Sequence, residues 1–176
     1  MKLRQLIRQI IVESQDDQEH GYSQFIPFIE QKLKVKIKKR VASGSKSDIF
    51  ELSDGHVLKI TRGVNDANGM MLAKENPNYP IPKVFGVYKF NPTAINPDSE
   101  FKKTLYIIVS EKVDATNQFN LDDEADLEDW FLTNTKYIPD DIHAGNMGQR
   151  TDGTVVYLDP SFENSENYLP KIPELK

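Results

Sequence analysis

The chain has 176 residues, enough for one domain or for two small lobes around a cleft. Hydrophobic residues make up 38% and charged residues 28%, which supports a packed core and excludes a disordered chain. There is no cysteine, so disulfides, thiol catalysis and thiolate metal sites are excluded.

Charge is unevenly spread along the chain. Residues 1–40 carry nine Lys/Arg against five Asp/Glu, residues 41–112 nine against eight, and residues 113–176 four against fourteen. A uniform nucleic-acid binder does not have this profile. It is compatible with a divalent metal held from one side and an anionic ligand from the other, and equally with ordinary surface scatter. The three histidines, His20, His56 and His143, are too scattered for a zinc cage. No run approaches the roughly 18 apolar residues of a membrane span. Met1 to Ser14 lacks the long apolar stretch of a secretory signal. A cytoplasmic protein is the expectation.

In chain order, Leu3, Leu6, Ile7, Ile10 and Ile11 recur at helical spacing and predict an amphipathic helix over 2–14. A second short helix is expected over Gln24 to Lys34. Val35 to Val41 partly alternates apolar and basic residues, as a half-exposed strand does. Its basic cluster reads as a solvated strand face, because it is short and lacks the interleaved aromatics of a nucleic-acid surface. Ala42 to Ser47 is a turn. Asp48 to Leu52 and His56 to Thr61 are strands joined at Ser53-Asp54-Gly55, a hairpin signal. Asn65 to Glu75 predicts a helix that Gly69 weakens by about 1 kcal/mol relative to Ala. The proline-rich stretch Asn76 to Pro82 ends it. Val84 to Phe90 and Thr104 to Ser110 are the next strands, separated by a loop with Pro92 and Pro97. A helix is expected over Leu121 to Tyr137, and an irregular tail from Glu163 with Pro170 and Pro173. There is no internal repeat. The fold class is α+β, an antiparallel sheet with one helix against it. The segments are 1–34, a helical N-terminal part; 35–112, the sheet lobe; and 113–176, a reduced, mainly helical part.

The most informative stretch runs from Ile138 to Gly148, followed by Gly153 to Ser161. Asp141 and Asn146 stand five positions apart, and Asp159 lies thirteen beyond Asn146, after the apolar run Val155 to Leu158. This resembles the catalytic core of the protein-kinase-like superfamily, in which an Asp opens the catalytic loop, an Asn follows, and a hairpin leads to a metal-binding Asp. The Asp-x-His-x-Gly-Asn form looks more like atypical and small-molecule kinases than ordinary protein kinases. The resemblance implies a kinase-like fold that binds ATP and Mg²⁺. Asp141 would be the base for a hydroxyl acceptor, and Asn146 and Asp159 the metal ligands, since Mg²⁺ favours oxygen donors. Val57-Leu58-Lys59-Ile60 resembles the phosphate-binding lysine strand, with Lys59 catalytic and Asp66 or Glu75 as its ion-pair partner. Gly44, Ser45, Lys46 and Ser47 occupy the place of the glycine-rich loop, although a single glycine does not meet the G-x-G-x-x-G pattern. Ile107 to Val113 resembles the fifth strand and hinge, where main-chain groups of Glu111 to Val113 would meet adenine.

Each piece taken singly also has a structural reading. A lysine in a strand is usually just exposed, Asp-x-His is usually a turn, and His143 is more simply structural than a ligand. The sequence departs from the family as well. Pro139-Asp140 replaces His-Arg, Pro160-Ser161 replaces Phe-Gly, and only 17 residues follow Asp159. The acceptor half of the resemblance is therefore thin. Pared-down chains of this kind look similar to small open reading frames of tailed phages, which would place the protein in host cytoplasm. The expected function is phosphoryl transfer to an unknown hydroxyl acceptor, which is small or is bound through a surface that a protein partner supplies; the expected partners are a nucleotide and either a small hydroxyl substrate or a protein. The alternatives are a non-catalytic kinase-like interaction module and an unrelated α+β binding domain. No membrane or nucleic-acid partner is expected.

Overall fold

The computed structural model describes residues 21–116, 118–163, 168 and 170–176. The helix expected over 2–14 lies outside them. A 3₁₀ turn, Tyr22–Phe25, leads into helix α1, Ile26–Leu33, which ends on Lys34 in the left-handed region. Strands β1 (Ile37–Ser43), β2 (Ser47–Leu52) and β3 (Val57–Thr61) follow, then helix α2 (Val64–Glu75), β4 (Val84–Phe90), a one-turn helix at Pro92–Ile95 and β5 (Leu105–Ser110). Helix α3 (Leu121–Asn134), a 3₁₀ turn at Ala144–Asn146 and the hairpin β6 (Met147–Gln149) and β7 (Val155–Tyr157) complete the described elements.

The main sheet has the order β1-β2-β3-β5-β4, with every neighbouring pair antiparallel. Burial explains the order. In β2 the alternating Asp48, Phe50 and Leu52 are buried, as in a strand with one face covered, whereas β3 is buried from Leu58 to Thr61, as a central strand must be. β1 is an edge with two register shifts and exposed Lys38, Lys39 and Arg40, features that discourage edge-to-edge pairing. Lys38 pairs with Glu51 and Arg40 with Asp48, and Lys36, just before the strand, pairs with Glu30. The expected Ser53-Asp54-Gly55 turn forms, with Gly55 at φ 88° and Asp54 accepting a hydrogen bond from the His56 N–H.

Both faces of this sheet are covered. On one, Tyr22, Phe25 and Ile29 pack on Phe50, Leu58, Ile60 and Ile107. On the other, α2 joins Val87 and Ile108 to Leu127 and Phe131 of α3 and to Met147 and Tyr157 of the hairpin. The sheet therefore carries helices on both faces rather than the single helix expected, and residues 113–176 share their apolar core with α2. Among the described residues those positions hold one long helix; the rest is the hairpin, turns and loops. The expectation of a mainly helical segment rested on the acidic run, and helix α3 stops three residues early. There the Thr135 hydroxyl donates to the Phe131 and Tyr137 carbonyls and turns Tyr137 into the core against Phe162. Its start is fixed by a capping box between Asn120 and Asp123. The tail is less irregular than expected. The Lys89 N–H donates to Pro173 O and the Leu175 N–H donates to Lys89 O, so the tail covers the β4 edge.

Candidate functional site

A cavity of about 840 Å³ opens between the sheet and the C-terminal part. Its sheet side is formed by Val41, Ala42, Ile49 and Val57, its opposite side by Leu158, and one edge by Ser110 to Val113. The walls are mainly apolar, and Lys59, Asn146 and Asp159 bring polar groups together in them. An apolar slot with a few convergent polar groups is the usual form of a small-molecule site.

Lys59 lies mid-way along β3, paired with Ile49 on one side and Ile108 on the other, and is only 8% exposed. A buried ammonium needs counter-charges. Asp66 Oδ2 stands 3.0 Å from Nζ, and the Asp159 carboxylate also contacts it directly. Burial alone would lower the ammonium's pKa, but the carboxylates of Asp159 and Asp66 outweigh it and raise the pKa above the ordinary lysine value. Asp66 sits in the first turn of α2, where the helix dipole favours a carboxylate. The Thr61 hydroxyl donates to Asp66 Oδ2 at 3.1 Å, and the Gly63 N–H donates to that hydroxyl oxygen at 2.9 Å. Gly63 makes room: a Cβ there would lie 2.8 Å from the Asp66 carboxylate. Glu75, the other candidate partner, instead accepts a hydrogen bond from the Tyr168 hydroxyl at 2.8 Å. It is about 13 Å further along the helix, at 1.5 Å per residue.

Asn146 ends the 3₁₀ turn. Its Nδ2 donates to both the backbone O and Oδ2 of Asp141, each at 3.2 Å, which brings the two residues together; among the described residues Oδ1 of Asn146 accepts no hydrogen bond. Asp141 itself is exposed and lies one hydrogen bond outside the cavity wall. The turn is anchored to α3 through the Ala144 N–H, which donates to Glu124 Oε1 at 2.7 Å. His143 Nδ1 accepts from the Gly145 N–H, a turn-forming role. The Leu158 N–H donates to Asn146 O at 2.8 Å, which sets Asp159 beside Asn146.

The turn that stands in place of a glycine-rich loop is held away from the cavity wall. The Gly44 N–H donates to Ser47 O, Arg62 donates to the carbonyls of Ser45 and Lys46, and the Tyr22 hydroxyl donates to Lys46 O. Val41, Ala42 and Ile49, on the strands flanking that turn, line the cavity, whereas Gly44, Ser45, Lys46 and Ser47 do not. Glu111, Lys112 and Val113 do line it. The Glu111 N–H is committed to Lys83 O at 2.9 Å, so it does not face the cavity; Val113 makes no main-chain hydrogen bond among the described residues.

Sequence reasoning missed Arg150. Its Nε donates to Glu111 Oε1 at 2.7 Å and its Nη2 to Ile81 O at 2.9 Å, while the same Glu111 oxygen accepts from the Lys83 N–H. This knot ties the end of β5 to the hairpin that carries Asn146 and Asp159 at its two ends. A lone arginine after a short strand gives no sequence signal of it. Arg150→Ala should lower unfolding stability by about 1 kcal/mol, the loss of a half-exposed charge-assisted pair. Urea denaturation at neutral pH measures this, and an unchanged midpoint would show that the knot contributes nothing.

Among the described residues, no three His, Asp or Glu side chains cluster around a common metal position, and no helix is long and apolar enough to cross a membrane. No family model and no curated protein sequence matches the chain. Among solved structures, it is similar to the streptomycin–ATP–APH(2″)-IIa ternary complex, at 15% identity and a TM-score of 0.34 over 59% of this chain. The chain spans 32% of that protein's length.

Proposed function

We propose that this chain is a kinase-like phosphotransferase whose cavity binds ATP with Mg²⁺. The observation that carries the reading is the convergence of Lys59, Asn146 and Asp159, drawn from across 100 positions, at a mainly apolar slot, with Asp66 paired to Lys59 behind them. On this reading the base and sugar would lie in the apolar part beside Glu111 to Val113, and Lys59 would hold phosphate oxygens. The donor set fits Mg²⁺: one carboxylate and one amide oxygen leave room for phosphate and water, as that ion prefers, without a closed protein cage. Asn146 Oδ1 and Asp159 would hold the ion, which supplies charge neutralisation on the phosphates. Asp141, oriented by Asn146, accepts the proton of an acceptor hydroxyl as that oxygen bonds to phosphorus and the bond to the leaving diphosphate breaks. The acceptor is a hydroxyl compound.

Thermal melts with ATP, with and without Mg²⁺, test this. At a hundred times the dissociation constant the fold should gain about 2.7 kcal/mol, and the gain should need Mg²⁺. Asp159→Asn should weaken Mg²⁺-dependent binding. Asp141→Asn should leave binding largely intact and remove turnover, because a base acts only as the acceptor reacts. Equal loss of affinity in both variants would sink the assigned roles. Binding without turnover on any acceptor would favour the non-catalytic module, and no binding in either condition would end the nucleotide reading.

A further inference from the structure

A second cavity, of about 440 Å³, opens where residues 77–80 meet helix α3 and the hairpin β6–β7. It shares no lining residue with the first. Local sequence builds its walls. Pro77 and Pro80 restrict the backbone on either side of Tyr79. The Tyr79 N–H donates to Asn76 O at 3.0 Å, and the Tyr157 N–H donates to Pro80 O at 2.8 Å, so this loop is tied both to the end of α2 and to β7. On α3, Asp123, Asp126 and Trp130 follow at spacings of three and four, which puts them on one side of the helix. The Tyr79 and Trp130 rings meet edge to face, with centroids 5.8 Å apart. Both residues are half-buried, and both border the cavity.

The lining carries a net negative charge. Among the described residues the Asp126 carboxylate makes no hydrogen bond and no ion pair. Asp123 spends Oδ2 on the helix cap, accepting from the Asn120 N–H at 2.9 Å. Arg150 also stands in the wall, but its Nε is committed to Glu111 and its Nη2 to Ile81 O. It therefore does not neutralise the two aspartates.

This combination selects a ligand class. Carboxylates repel an anion, and a neutral apolar ligand would strip water from them without replacing it. A bare metal ion needs more oxygen donors, and among the described residues no third His, Asp or Glu joins the pair. Aromatic faces beside carboxylates attract an organic cation. A planar guanidinium uses both features at once: it stacks on a ring and donates two parallel N–H bonds to a carboxylate. The volume is that of a small-ligand pocket.

We infer that this second cavity binds a guanidinium group, which stacks on Trp130 and Tyr79 and donates to Asp126. The group is carried by a free compound or by an arginine of a partner protein. The site stands apart from the nucleotide reading and does not depend on it.

Trp130 is the chain's one tryptophan, so its emission reports on this cavity directly. The test titrates the full chain with methylguanidinium, with tetramethylammonium and with an acetylated, amidated Gly-Gly-Arg-Gly-Gly peptide, at constant ionic strength and far below denaturing concentrations. Methylguanidinium should change the emission saturably. Tetramethylammonium, which has the charge but no N–H, should bind about fivefold more weakly, the upper range for an exposed ion pair. Asp126→Asn should weaken methylguanidinium by a similar factor. Asp129→Asn removes the same charge from the same helix outside the cavity and should change affinity less than about twofold. Peptide binding tighter than methylguanidinium would assign the group to a partner protein, and equal binding to a free compound; both uphold the site. No saturable change with either guanidinium probe, equal binding of tetramethylammonium, or equal effects of the two substitutions would overturn it.

Discussion

Replacing Lys59 by methionine should reduce phosphoryl transfer by roughly 10²–10³-fold, the usual cost of removing one positioned group that stabilises developing charge. The substitution keeps the length and apolar stem of the side chain, so β3 and its pairing with Ile49 and Ile108 survive. What disappears is the cation between Asp66 and Asp159. Two carboxylates then face each other without a counter-charge, and both they and the phosphates of a bound nucleotide repel. Nucleotide affinity should fall at least about tenfold, or about 1.4 kcal/mol. The wild-type pair also has a pH signature. Burial works against the Lys59 charge, yet Asp159 and Asp66 leave its pKa above the unfolded value. The folded state thus holds the proton more tightly, and the stabilisation is fully present below the unfolded pKa of about 10.4. It is lost as pH rises through the folded pKa. The stability advantage of wild type over Lys59→Met should accordingly be flat through neutral pH and shrink in strongly alkaline solution. An advantage that grows above pH 10, or a variant that turns over at wild-type rate, would contradict the placement of this lysine.

Gly69→Ala should destabilise the fold by about 2 kcal/mol, even though Ala gains about 1 kcal/mol over Gly in a helix interior. The added Cβ would lie 1.9 Å from the carbonyl oxygen of Pro160 and 2.9 Å from its carbonyl carbon. That neighbour is backbone and cannot rotate away, so α2 and the segment after β7 must separate. Pro160 directly follows Asp159, and α2 carries Asp66, so the separation pulls apart the two carboxylates that hold Lys59. A shift of about 1 Å at such a site costs on the order of 10²-fold in rate. Chemical denaturation and a turnover assay on the same variant test both halves. A variant more stable than wild type would show that helix propensity, rather than the Pro160 contact, decides this position. Gly44→Ala is the control, since a Cβ there meets nothing nearer than 3.6 Å.

Local pattern was enough for most of the secondary structure. The alternation Asp48, Phe50, Leu52 defines β2, Ser53-Asp54-Gly55 defines the hairpin turn from β2 to β3, and the apolar run of β5 defines a covered strand. These are short-range consequences of side-chain periodicity and of glycine's access to positive φ. The spacing of Asp141, Asn146 and Asp159 was equally legible, because the turn and the hairpin that bring them together lie within twenty residues. Where the sequence was misread, a distant contact had overridden a local signal. Residues 24–34 read only as a short helix with no stated neighbour, and residues 22–29 cover one face of the sheet. Residues 172–175 look irregular and instead cover an edge. Helix α3 ends early because Tyr137 is drawn to Phe162.

The sequence by itself determined which residue types were available: a lysine on the third strand, an acidic C-terminal third, and an Asp–Asn–Asp set separated by a hairpin. Only the tertiary structure decided which of them act together. Spacing left Asp66 and Glu75 equivalent, and packing gave the first to Lys59 and the second to Tyr168. Spacing made Gly69 a weakness, and the approach of Pro160 makes it a requirement. Nothing in the sequence marked Arg150, because its significance lies in what stands opposite it, Glu111, 39 positions away. Periodicity encodes which face of an element is buried, but side-chain partnership depends on how whole elements stack, and that is settled only when distant segments close on one another.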